Sequence, residues 1–151
     1  HGVTKQLVDI FQQEGKSIIA VEHVTKEDTS KYGIVDVSAT KDKFLIKITG
    51  ILEKPKSGES SSTLAVIGRY IFTSRIFDCL EKTSTGVGNE VQLTDAIRIL
   101  LDKESVYAYK FEGTRYDCGS KLGYMQASIQ YALKDPDIKE EFFEYIKGLK
   151  I

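Results

Sequence analysis

Neither sign of charge predominates in this chain: 21 Lys+Arg stand against 22 Asp+Glu over 151 residues, a net charge of −1. A general nucleic-acid binder needs a Lys/Arg excess on one face to neutralise phosphates, and none is visible, so no nucleic-acid partner is expected. Cysteine is scarce. Cys79 and Cys118 alone do not make a disulfide framework, and reduced thiols in a cytoplasmic protein are the expectation. Long apolar runs are lacking too: nothing approaches the ~18 consecutive apolar residues of a membrane span. The opening HGVTKQLVDIF has no signal-peptide regions. It starts on His1 instead of Met, directly ahead of a helix-like pattern, which reads as a chain trimmed on its N-terminal side.

What is present is enough for one domain with a core, since a length near 150 buries roughly 68–70 % of the unfolded surface. Leu7, Val8, Ile10 and Phe11 recur at helical spacing before Gly15, predicting a helix over residues 4–14. The apolar run at 18–21 is too short for a second helix and reads as a buried strand. Thr25 and Asp28 fit a capping box loosely, giving one helical turn before a strand at 34–37. Further strands are expected at 44–48, 64–72 and 106–111, the last burying one face of Tyr107, Tyr109 and Phe111.

Between them, Ser74 can cap a helix burying Ile76, Phe77 and Leu80, and a later helix carries Leu93, Ile97, Leu100 and Leu101 on one stripe. Ser120 caps a helix with Leu122, Met125, Ile129 and Leu133, and Asp135-Pro136 opens a last one to Gly148 with Ile138, Phe142, Tyr145 and Ile146. Strands interleaved with helices predict an α/β fold with a mixed or mostly parallel sheet.

Three places could carry chemistry. Glu53-Lys54-Pro55 sets an acid beside a base at a strand's end, where open α/β sheets place ligands. The lysine suits an anionic phosphate and the carboxylate can accept from two sugar hydroxyls; the same triplet is also an ordinary solvated turn. Asp117-Cys118-Gly119 puts a carboxylate suited to Mg²⁺ between a strand and a capped helix, although an aspartate there also serves as a turn residue. Gly33 after Tyr32 fits either a close backbone approach to a ligand or a plain turn.

Gly86-Val87-Gly88 lies between helices and lacks the strand-to-helix context of a phosphate loop. His1 and His23 have no partner at zinc spacing, and both cysteines read as small buried hydrophobes.

Taken together, KYGIVDV, ILEKPK, LAVIGRYIF, GNEVQLTDAI and YDCGSKLGYMQA resemble the C-terminal half of the bacterial UTP:glucose-1-phosphate uridylyltransferases, or UDP-glucose pyrophosphorylases, over roughly residues 3–147. The resemblance implies the C-terminal half of a Rossmann-like nucleotidyltransferase domain, with a mixed, mostly parallel sheet flanked by helices. It further implies a sugar-phosphate part over residues 1–134 and a C-terminal helix, residues 135–151, making homo-oligomer contacts.

The implied reaction is transfer of a uridylyl group from UTP to glucose 1-phosphate with Mg²⁺, giving UDP-glucose and pyrophosphate. Lys54 would hold the sugar phosphate, Glu53 the sugar hydroxyls and Gly33, through its amide, the sugar, while Asp117 would be one of two aspartates on the metal. Such an in-line displacement rests on positioning two anions and screening their repulsion.

The family's Gly-rich loop and second metal-binding aspartate have no counterpart in the sequence, so it reads as a fragment, inactive alone, with a sheet edge and apolar face uncovered. The alternative is a stand-alone, non-catalytic sugar-phosphate-binding or assembly module.

Overall fold

The computed structural model describes residues 2–39, 44–56, 58–85 and 90–149. By its internal contacts the chain divides into two compact units, His1–Gly113 and Thr114–Ile151. Gly86-Val87-Gly88 and His1 lie outside the described residues.

The first unit opens with α1 (Val3–Glu14), which stops where Gly15 turns left-handed at φ 60° and donates its N–H back to the Phe11 carbonyl. The strands are β1 (Ser17–His23), β2 (Gly33–Val37), β3 (Leu45–Glu53), β4 (Leu64–Ile71) and β5 (Val106–Lys110). A 3-10 turn over Glu27–Lys31 precedes β2, and Thr25 Oγ1 accepts from the Asp28 N–H at 3.3 Å, as the capping box predicts. Helices α2 (Arg75–Leu80) and α3 (Leu93–Leu101) stand between β4 and β5.

The sheet is mixed, as expected, but it is not mostly parallel. Only β1 and β5 run parallel; the β1–β4, β2–β3, β2–β4 and β3–β5 pairings are antiparallel. The circuit β1-β4-β2-β3-β5 closes on itself, so each described strand has neighbours on both sides and the expected bare edge is absent among them. Hydrophobic pattern reports which face a strand buries and not which way its neighbour runs; that is the source of the difference.

Strand β1 shows how the two layers are built. Ile19 and Val21 point into one core, with Val35, Ile48, Val66, Ile97 and Leu100 under α2 and α3. Ile18 and Ala20 point the other way, onto Leu7 of α1. A strand buried on both faces needs an unbroken apolar run, and that is its sequence signature. In α2 the buried side is Ile76 and Cys79, whereas Phe77 is 66 % exposed, contrary to expectation. Cys118 is also exposed.

A polar knot ties this unit together. Ser17, fully buried at the start of β1, donates to Glu104 Oε1 at 2.7 Å. Thr73, just after β4, donates its N–H to Ser17 Oγ at 3.0 Å and its hydroxyl to both Glu104 oxygens at 3.0 and 3.1 Å. Arg75 approaches the same carboxylate at 3.7 Å. One side chain from the α3–β5 connection thus fixes the ends of two strands.

In the second unit, α4 (Lys121–Ala132) is capped by Ser120, whose Oγ accepts from the Gly123 N–H at 3.0 Å, and α5 spans Lys139–Lys147. The buried residues of α4 are the small pair Gly123 and Ala127, one turn apart. Leu122, Met125 and Ile129 are exposed and Leu133 is half-buried, so the apolar stripe read from the sequence does not face inward in this unit. Asp135 caps the turn before α5 by accepting from the Asp137 N–H at 2.9 Å, so the helix starts later than Pro136 suggested. Of its expected face, Phe142 and Ile146 are half-buried and Tyr145 is exposed.

Replacing Glu104 by Ala strands the buried Ser17 hydroxyl and the half-buried Thr73 hydroxyl, with an expected loss of roughly 3 kcal/mol in urea unfolding of this chain. Glu104→Gln keeps one acceptor and is expected to lose about half of that. Unchanged midpoints would remove the knot from the account.

Candidate functional site

The antiparallel ladder of β2 and β3 decides where the acid–base pair stands. Gly33, the first residue of β2, lies opposite Glu53, the last of β3. One further hydrogen bond, Lys54 N–H to the Tyr32 carbonyl at 3.0 Å, carries the pairing past the strand's end. Lys54 is the one non-glycine residue with positive φ, 42°, among the described residues. A side chain on such backbone costs of order 1–3 kcal/mol, and such strain collects at ligand sites. Buried Pro55 follows and narrows the backbone choices of Lys54 further.

The side chains diverge from that corner. Lys54 is 64 % exposed and Glu53 33 %, with Nζ and Oε1 3.9 Å apart, a distance at which an exposed pair contributes little. No closer ionic partner holds Lys54 among the described residues. Beside them a cleft of about 630 Å³ opens, lined by Glu53, Lys54, Glu59, Glu90, Asp95 and Arg98 among others. Arg98 is engaged with Asp95 at 3.2 Å and donates to the Ile51 carbonyl at 3.3 Å, which leaves Lys54 as the available cation among the described lining residues.

Gly33 is neither a turn residue nor at positive φ. A Cβ there would stand 3.2 Å from the Thr94 methyl of α3 and 3.3 Å from Glu53 Oε2, a tight fit that either neighbour would have to relieve by a few tenths of an ångström. Burial, then the negative charge of Glu53, raises the Tyr70 phenol above its ordinary value, keeping it protonated. Its ring stacks on Phe72 with centroids 5.4 Å apart. The sequence reading missed Tyr70 and Thr94, which lie in the quoted motif strings, and Arg98, just after one of them; none carries a spacing signature of its own.

Asp117 belongs to the second unit. Its Oδ1 accepts from the Gly119 N–H at 3.0 Å and its carbonyl accepts from the Ser120 hydroxyl at 3.1 Å, so it does shape the turn. A Cβ on Gly123 would lie 2.0 Å from the Asp117 carbonyl oxygen, which makes glycine obligatory where α4 backs onto the turn. The carboxylate is exposed, and Oδ2 takes no hydrogen bond from a described residue. One hard oxygen donor fits Mg²⁺ as a single ligand; no group of three acidic, His or Cys ligands occurs among the described residues.

The model of the family described as nucleotidyl transferase matches residues 3–134. The chain belongs to this family. It is 48 % identical over 147 residues to a UTP–glucose-1-phosphate uridylyltransferase of Staphylococcus epidermidis, covering 97 % of this chain and 51 % of that protein. Among solved structures, a UTP-bound UGPase from Acinetobacter baumannii matches with TM-score 0.82 and 39 % identity, over 96 % of this chain and 50 % of that one. A UDP-glucose pyrophosphorylase complexed with UDP-glucose matches with TM-score 0.79 and 42 % identity, over 87 % of this chain and 49 % of that one. The chain therefore spans about half the length of the relatives it matches. Within the described residues, no helix is long and apolar enough to cross a membrane.

In this chain the corner at Lys54 is open to a direct test of strain. Lys54→Gly is expected to leave thermal stability unchanged or raised, because glycine adopts φ 42° without its side-chain penalty. Lys54→Val should cost about 1–2 kcal/mol, a β-branched residue being poorest there. The opposite order of melting temperatures would show the corner to be relaxed.

Proposed function

We propose that this chain supplies the sugar-phosphate side of a uridylyltransferase that makes UDP-glucose and pyrophosphate from UTP and glucose 1-phosphate. The observation that carries the reading is the corner at the end of β3. An ammonium without a close partner and a carboxylate beside it are held on strained backbone, at the mouth of a cleft of a size that suits a sugar phosphate. The relatives' shared name and the nucleotide and product bound in two neighbours agree with it.

In this reading Lys54 binds the phosphate of glucose 1-phosphate and offsets its charge as the attacking oxygen approaches the α-phosphorus of UTP. Glu53 accepts from sugar hydroxyls, and the Gly33 backbone approaches the sugar. Asp117 would be one ligand of a Mg²⁺ that screens the phosphates when bound. No side chain acts as nucleophile. Residues 1–134 carry the sugar-phosphate part and residues 135–151 the contacts of a cytoplasmic homo-oligomer. In this reading the nucleotide pocket belongs to the family's nucleotide-binding half, with its Gly-rich loop, which has no counterpart in these 151 residues.

In the enzyme joined to that half, Lys54→Ala should weaken glucose 1-phosphate roughly ten- to a hundredfold, the loss of one charge-assisted contact, while UTP changes much less. Asp117→Asn in the same steady-state assay should lose most activity and regain part of it at high Mg²⁺. Equal losses for both substrates in Lys54→Ala, or wild-type turnover in Asp117→Asn, would contradict these roles.

A further inference from the structure

Thr94 is the second residue of α3 and is 7 % exposed, in contact distance of the corner through its methyl group. Its hydroxyl is buried and makes no hydrogen bond with a described residue. A buried hydroxyl without a partner destabilises the fold, and valine would fill the same space without that cost. The position of Thr94 suggests what offsets it. A Cβ placed on Gly33 would meet the Thr94 methyl at 3.2 Å and Glu53 Oε2 at 3.3 Å, so both groups border the same small space over Gly33. Threonine in a helix divides between two χ1 rotamers, so one rotation brings the hydroxyl to the space that the methyl now borders.

We infer that Thr94 is a positioning residue for Glu53, its hydroxyl turning to donate to the carboxylate when Lys54 engages the sugar phosphate. The inference rests on the reading of Glu53 and Lys54 given above. Without ligand the Glu53 carboxylate has Lys54 at 3.9 Å. At that distance Lys54 does little to hold the carboxylate, which nevertheless has to keep one orientation for the sugar hydroxyls while the ammonium serves the phosphate. A hydroxyl donated from the rigid first turn of α3 supplies that orientation. Gly33 is small enough to let α3 come this close.

The test compares Thr94→Val, which keeps the shape, with Thr94→Ser, which keeps the hydroxyl, in the enzyme joined to its nucleotide-binding half, with Lys54→Ala alongside. Thr94→Val should raise KM for glucose 1-phosphate about tenfold, the worth of one hydrogen bond, with kcat and KM for UTP within about twofold and melting temperature not lowered. Thr94→Ser should stay within about twofold of wild type throughout. A wild-type KM in Thr94→Val overturns the inference; so does a Thr94→Ser that is as impaired as Thr94→Val, or a rise in both substrates' KM alike. If Thr94→Val does not fold, Thr94→Ala against Thr94→Ser gives the same comparison. If Lys54→Ala leaves KM for glucose 1-phosphate unchanged, the reading of the site fails and Thr94 fails with it; a Lys54→Ala effect without a Thr94→Val effect sinks Thr94 alone.

Discussion

Everything at the candidate site depends on how closely α3 approaches the start of β2. The gap is set by Gly33, where even a methyl would meet Thr94 on one side and the Glu53 carboxylate on the other. That contact seats the helix over the last ladder pair of β2 and β3, and the ladder in turn fixes Glu53. The Lys54 N–H to Tyr32 carbonyl bond then forces the chain round at positive φ. An acid, a base and a buried hydroxyl reach one corner because three elements pack closely there. Rigid backbone at such a corner spares a ligand the entropic cost of ordering it.

The same unit shows how polar and apolar forces divide the work. Two apolar clusters on opposite faces of β1 hold α1 on one side and α2 with α3 on the other. Hydrophobic burial is non-directional and gives no register. Glu104, with its short bonds to Ser17 and Thr73, supplies direction by joining the ends of β1 and β4 to the segment that leads from α3 into β5. The second unit is built differently: its buried residues in α4 are Gly123 and Ala127, and the larger Leu122, Met125 and Ile129 of that helix stay exposed.

Much of the fold was legible in the sequence because its signals are local. Gly15 stopping α1, the Thr25–Asp28 box and the Ser120 cap each act within four residues, and each stands where the pattern put it. Strand direction was not legible, since an apolar run such as Ile18–Val21 buries both faces whichever way its partners run. Nor was the facing of α4: the amphipathic stripe points to Leu122 and Met125, but the close approach of Gly123 to the Asp117 carbonyl turns the small face inward. For the site, motif strings marked Gly33, Glu53 and Lys54, and the ladder brings them together. The strain at Lys54 and the unpartnered Thr94 hydroxyl depend on tertiary packing, which no spacing rule encodes.

The central claim is that the corner formed by Gly33, Glu53 and Lys54 receives a sugar phosphate. Its most direct test is titration of this isotope-labelled chain with glucose 1-phosphate while backbone amide signals are followed by NMR. The account expects saturable shifts concentrated at Gly33, Glu53, Lys54 and the first turn of α3, weaker with glucose and absent with an uncharged, non-sugar control. Shifts that gather elsewhere, at the serine-rich segment 60–63 for example, or no saturable shift at the corner, would contradict it.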